Sequence, residues 1–191
     1  MDNPEEKINQ AKDSNTPTET LHTLAQDNLE RVRKWVAKNP NTSEETLSIL
    51  SKDGKKDVRE LVARNKNTAT ETLDILAKDK MIIVKREVAS NPNTSEKTLH
   101  RLAKDNKDRW VRIHVSENSN TSEETLAVLA ENEYDDVRAN VVGNPSTSVK
   151  TLKGMIKREK NKIILEEAEK QLNKRNSRKH FIAKVIKKIK N

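Results

Sequence analysis

Apolar residues in this chain fall into two kinds of short cluster that alternate along it. One kind is led by leucine: Leu47 and Leu50 with Ser51 behind them, then Leu73, Leu76 and Ala77, then Leu126, Leu129 and Ala130. The other is a pair of valines four residues apart: Val32 and Val36, Val58 and Val62, Val84 and Val88, Val111 and Val115, Val137 and Val141. Spacings of three and four place each cluster on one face of a helix. The leading leucines, at 21, 47, 73, 99, 126 and 152, are separated by 26, 26, 26, 27 and 26 residues. A fixed period of that length, holding two helical faces, predicts an all-α solenoid of stacked helix pairs.

Polar residues between the clusters mark the helix ends. The stretch Asn39-Pro-Asn-Thr-Ser-Glu-Glu-Thr-Leu47 is rewritten from Asn65, Asn91, Asn118 and Asn144, and an earlier copy opens at Asp13. Within it Thr42 is expected to cap the first helix, with Glu45 as its capping-box partner. Thr16, Thr68, Thr94, Thr121 and Thr147 repeat that cap, and in the earliest copy Pro17 suits the first helical position. The first helix of this copy should cover roughly residues 43–52. The second helix, only about two turns long and β-branched, is marginal alone and is expected to be partly 3₁₀. It should stop at Asn-Pro, where proline cannot continue the helix. The extra residue of the 27-residue copy falls in the loop between Asp105 and Val111.

These residues resemble the leucine-rich repeat variant family, a relative in shape of HEAT and armadillo repeats. The match is carried by Val58, Arg59, Val62, Ala63, Asn65 and Thr68, then by Val84, Lys85, Val88, Ala89, Asn91, Pro92 and Thr94, within a span of about 11–156. The resemblance implies a right-handed solenoid of alternating α-helices and short, often 3₁₀, helices without β-sheet, and it implies no single activity.

The organisation that follows is an N-terminal half-repeat cap over 1–12, the solenoid over 13–156 and a basic helical C-terminal extension over 157–191. In the extension, Arg175-Asn-Ser-Arg-Lys179 interrupts the helical pattern. Phe181, Ile182, Val185, Ile186 and Ile189 then form an apolar stripe opposite Lys184, Lys187, Lys188 and Lys190.

Charge sharpens this division. The net charge of +8 is made of about −2 over residues 1–152 and +10 over 153–191, so the basic character belongs to the C-terminal segment alone. Hydrophobic residues are 32% of the chain, a thin supply for a globular core but enough for a solenoid that buries one stripe per repeat. No cysteine is present, which rules out disulfides and thiolate metal or iron–sulfur sites. The polar N-terminus does not read as a signal peptide and no apolar run reaches spanning length, so the cytoplasm is the expected compartment.

Candidate sites follow from position within the repeat. Arg33, Arg59, Lys85, Arg112 and Arg138 share one place in the second helix, each six or seven residues after Asp27, Asp53, Asp79, Asp105 or Asn132. Such a column could track a phosphate backbone. A structural ladder stitching neighbouring repeats is the expectation. The asparagines at 39, 65, 91, 118 and 144 are expected to bond local turn backbone. Specificity in repeat arrays falls at variable positions, which gives Lys34, Trp35, Lys38, Arg64, Arg86 and His114 as partner-binding candidates, while Trp35 and Trp110 are expected to pack between repeats. Lys174, Arg175, Arg178, Lys179, Lys184, Lys187, Lys188 and Lys190 are the polyanion-binding candidates. No nucleophile elbow, Gly-rich phosphate loop or metal-ligand spacing is present, so no catalytic residue, metal, cofactor or small-molecule substrate is expected. The expected function is a non-enzymatic scaffold for an unidentified protein partner. The alternatives are nucleic acid or an anionic membrane surface bound through the C-terminal helix, which could instead cap the last repeat.

Overall fold

The computed structural model describes the backbone of residues 3–105 and 108–189, and the side chains of 3–104 and 108–177. All regular structure among the described residues is helical. The elements are α1 (Pro4–Lys12), α2 (Thr18–Leu24), α3 (Glu30–Lys38), α4 (Glu44–Leu50), α5 (Lys56–Arg64), α6 (Thr70–Leu76), α7 (Ile82–Ser90), α8 (Glu96–Asp105), α9 (Arg109–Glu117), α10 (Glu123–Leu129), α11 (Asp135–Gly143), α12 (Val149–Arg158) and α13 (Lys162–Ile189). The chain is an all-α solenoid. Even-numbered helices are the first of each pair and odd-numbered helices the second.

Where a first helix has a side-chain cap, serine supplies it and not threonine. Ser43 Oγ accepts the backbone N–H of Thr46, and Ser122 and Ser148 do the same for Thr125 and Thr151. Thr42 sits one residue too early for that role. Its buried hydroxyl turns inward and donates to the carbonyl of Val36 at 2.6 Å, tying off the last turn of the preceding helix. Thr68, Thr94, Thr121 and Thr147 donate in the same way to Val62, Val88, Val115 and Val141. Glu45 therefore closes no capping box and stays exposed in the first turn, where a carboxylate still complements the helix dipole. Pro17 lies at the N-cap position, one place ahead of the first helical residue.

Helix lengths also reverse the expectation. α4 has seven residues, Glu44–Leu50, because Asp53 already belongs to the next helix entry. The second helices are nine residues of α-helix, with no 3₁₀ turn among the described residues. Valine's weak propensity is overridden by packing, since Val58 and Val62 are fully buried and each contributes about 1.5–3 kcal/mol by leaving water.

Consecutive second helices pack directly on one another, α1 on α3, α3 on α5 and so on to α13, whereas most neighbouring first helices barely meet. The second helices thus form the closely spaced row, and the first helices stand apart with open grooves between them. α1 occupies the place of a second helix, burying Ile8 and Ala11. At the other end α13 does the same: Ile164 and Ala168, four apart, are buried where the valine pair would be. It then continues without interruption through 175–179, so the expected break there is absent.

A second set of bonds runs from repeat to repeat. Asn91 Oδ1 accepts from the Asn93 backbone, the local turn bond. Its Nδ2, however, donates backwards to the carbonyls of Ala63 at 2.6 Å and Asn65 at 2.9 Å. Asn39, Asn65, Asn118 and Asn144 make the same backward pair. All five are buried, so each carboxamide satisfies carbonyls that no water reaches. No asparagine follows Asn144 in this register, and Arg175 Nη2 of α13 donates to the Asn144 carbonyl at 3.1 Å instead.

Replacing Asn91 with alanine strands those two buried carbonyls and is expected to cost about 1–3 kcal/mol. Asn93→Ala, at an exposed edge of the same turn, should cost less than about 1 kcal/mol. Urea unfolding of the two variants beside the parent checks the ordering.

Candidate functional site

The charged positions of the second helices face neighbouring repeats, and most find a partner there. Arg33 is 16% exposed and reaches forward, not back: its Nε lies 2.5 Å from Asp53 of the following repeat. From its own repeat Asp27 supplies only a main-chain carbonyl, 2.8 Å from Nη1. Arg59 repeats both bonds with Asp79 and the Asp53 carbonyl. Lys7 pairs with Asp27, and Arg138 with Glu159, so the series starts in α1 and ends at the entry to α13. Each acid also accepts a local backbone N–H, as Asp53 does from Lys55, which fixes the start of the second helix. Arg112 lies 3.9 Å from Glu133. The side chain of Asp105, 20 residues after Lys85, lies outside the described residues.

These contacts set the protonation of the acids. Burial pushes the Asp53 and Asp79 carboxyls up, but the Arg33 and Arg59 guanidiniums and the backbone N–H bonds outweigh it and hold both below the usual range. The Arg138 hydrogen bond does the same for Glu159, whose pKa falls to about 2.

The partner-binding candidates are also engaged. Lys34 Nζ lies 3.0 Å from Asp57, and Arg64 forms a two-pronged pair with Glu87 at 2.7 and 2.8 Å. Arg86 grips Asp108 in the same way, and His114 Nδ1 lies 3.4 Å from Glu117. Trp35 is half-buried, with Lys12 and Lys38 each 4.9 Å from its ring centroid. Apart from Trp35 and Lys38, these residues are separated into different ion pairs along the array and form no single basic patch. At the C-terminal end, Lys174 is exposed and Arg175 is used in the bond to Asn144. The side chains of Arg178, Lys179, Lys184, Lys187 and Lys188, and the whole of Lys190, lie outside the described residues.

A surface the sequence reading passed over lies at the N-terminal ends of α7, α9 and α11. Trp110, expected between repeats, is 52% exposed. It stands at the second residue of α9, a place held by Ile83 in α7 and by Asp136 in α11. Beside it Arg109 binds Asp136 at 2.8 Å and lies over the Tyr134 ring, 5.4 Å from the centroid. Met81, Ile82, Ile83 and Tyr134 are only partly buried against the core. The repeat carrying Trp110 is the 27-residue one, and that irregularity was the signal available in the sequence. Among the described residues no group of three or more histidine or acidic side chains could hold a metal ion, and no helix is long and apolar enough to cross a membrane.

Residues 6–66 match the model of the Leucine Rich Repeat Variant domain. The same buried leucine and valine positions recur from there to Leu152. Among solved structures the chain is similar to one described as a leucine-rich repeat variant with a novel repetitive protein structural motif. The identity is 22%, the match covers 88% of this chain and 82% of that one, and the TM-score is 0.47. No curated protein matches the sequence.

The Glu159 pair gives the array a pH signature. A carboxyl held lower in the folded state stabilises it above the unfolded pKa, and that contribution fades as pH falls from about 4.5 toward 2. Glu159→Gln should therefore lower stability at neutral pH, and its deficit relative to the parent should shrink across that window. Urea midpoints of both proteins between pH 7 and 2 test the sign.

Proposed function

We propose that this protein is a non-enzymatic repeat scaffold that binds a protein partner across the N-terminal ends of its central second helices. The observation that carries the reading is the exposed Trp110 beside Arg109 and Tyr134, flanked by the partly buried Met81, Ile82 and Ile83. Tryptophan, tyrosine and arginine dominate the energetic centres of protein interfaces because they carry large areas with few rotatable bonds. An array satisfies its core through nearest neighbours only, so a half-exposed tryptophan has no structural duty that demands its exposure. The inter-repeat ion pairs support the same reading, since a face whose cations already hold carboxylates offers little to a phosphate backbone.

The ion pair between Arg109 and Asp136 fits this picture. It holds the guanidinium over the Tyr134 ring, so the cluster is pre-ordered before a partner arrives. The paired cations of α3, α5 and α7 would then lie along the flank of the interface, where exposed ion pairs add little affinity and mainly select the partner.

A photoactivatable cross-linker placed at position 110 in cells should give a discrete protein adduct that survives nuclease treatment. The same group at Lys52, in the exposed turn after a first helix, should not give that adduct. Trp110→Glu should weaken capture of that partner at least about tenfold while shifting stability by no more than about 0.5 kcal/mol. Cross-linking equal at both positions would sink the reading.

A further inference from the structure

The first helices present a surface that the scaffold reading does not use. Two of its positions, seven residues apart, are exposed in every repeat from α4 onward. They hold Glu45 and Lys52 in the repeat of α4, Glu71 and Lys78 in that of α6, and Lys97 and Lys104 in that of α8. In the last two repeats each pair takes a single, opposite sign: Glu124 and Glu131 with α10, Lys150 and Lys157 on α12. α12 alone of the first helices carries no acid, and adds Lys153 and Arg158. A groove of about 1090 Å³ separates the two, lined between the charged rows by Ala127, Ala130 and Gly154. Across it Arg158 reaches Glu131 at 2.6 Å, and Glu124 lies 4.0 Å from His100 Nε2 of α8. Lys150, Lys153 and Lys157 have no ion pair among the described residues.

We infer that this groove is a dimer interface, and that what covers it is the same groove of a second copy of the chain. Register carries the inference. Glu124 and Lys150 are 26 residues apart, as are Glu131 and Lys157, so each pair holds equivalent places in successive repeats. A two-fold axis laid along the groove, parallel to its helices, reverses the order of the repeats and keeps the direction of the helices. α10 of each copy then lies against α12 of the other. Glu124 comes opposite the second copy's Lys150 and Glu131 opposite its Lys157, and symmetry makes each pair twice. Ala127 and Gly154, between the rows, leave room for the long side chains to cross. A face of one sign would call for a partner of the other sign. Neighbouring rows of opposite sign in one register complement themselves.

The second basic row, on α8, does not serve as well. α8 packs directly on α10, with His100 Nδ1 2.7 Å from Thr125 Oγ1. An axis between those two helices would also set Lys78 against the second copy's Lys157, a like-charge contact. The contact across α10 and α12 is small, two short helices from each copy, and buries less than about 1,200 Å². It rests mainly on ion pairs at the surface, so the dimer is weak, with a dissociation constant on the order of 100 μM, and sensitive to salt.

Sedimentation velocity on the full chain, from about 5 to 500 μM, should therefore show monomer and dimer and nothing larger. Raising salt from about 0.05 to 0.5 M should weaken the dimer several-fold. Glu124→Lys with Glu131→Lys sets cations against cations, and Lys150→Glu with Lys157→Glu sets acids against acids. Each variant alone should dimerise at least about tenfold more weakly than the parent. Mixed, the two should form a heterodimer as tight as the parent dimer, because both contacts between them are again of opposite sign. A chain carrying all four changes should also dimerise, a rescue that damage to the fold would not produce. Lys97→Glu with Lys104→Glu on α8 should leave the equilibrium unchanged. A parent that stays monomeric to about 500 μM, swapped variants that fail to rescue one another, or a dimer broken by the α8 changes would overturn the proposal. So would a monomeric parent that takes up polyglutamate or an oligonucleotide through Lys150 and Lys157.

Discussion

Five buried asparagine side chains hold this array in register. A helix pair of this size buries few apolar atoms, and its turns leave carbonyls at the end of every second helix that must be satisfied away from water. Each asparagine does so for the repeat before it, donating two bonds backward while its oxygen shapes its own turn. The donor and the acceptor come from different repeats, so neither is satisfied until the two have stacked. Local turn geometry and long-range assembly are thereby made one event, which is how elements of seven and nine residues, marginal alone, become cooperative.

Electrostatics adds direction to that stacking. Arginine at one position donates to its own repeat's backbone and pairs with the next repeat's acid, so information runs forward along the ion pairs and backward along the asparagines. The opposed directions leave different ends. At the start, Lys7 in α1 supplies the first cation, and Ala11 and Asp13 offer the first carbonyls. At the finish, Glu159 receives the last cation and Arg175 fills the last asparagine's place. The cations of the second helices are matched to carboxylates in this way, while the net positive charge of the chain belongs to residues 153–191.

Periodicity made most of the architecture legible, since the leucine and valine positions alone mark which faces are buried. Residue chemistry was legible and residue address was not. Thr42 and Ser43 are both good caps, and only the inward turn of the threonine towards Val36 separates their roles. The asparagine was readable as turn chemistry, but its backward partners lie 26 and 28 residues away and are backbone atoms, which leave no trace in sequence. Arg33 had an acid six residues before it and another 20 after it, and the stacking geometry chose the later one. Trp110 looked like filler because tryptophans in helical repeats often are. Its exposure follows from sitting one place before the buried Val111, on the outer side of the same turn.

The bond from Arg175 to Asn144 places the last rung of the array on the helix that leaves it. A force applied to that helix is therefore delivered first to the final turn, and its leverage grows with the roughly 20 Å of helix beyond it. Interior rungs are shielded, because each is shared by two stacked repeats. Under tension the array would open from its C-terminal end, one repeat at a time, in the manner of a zipper drawn by its tab.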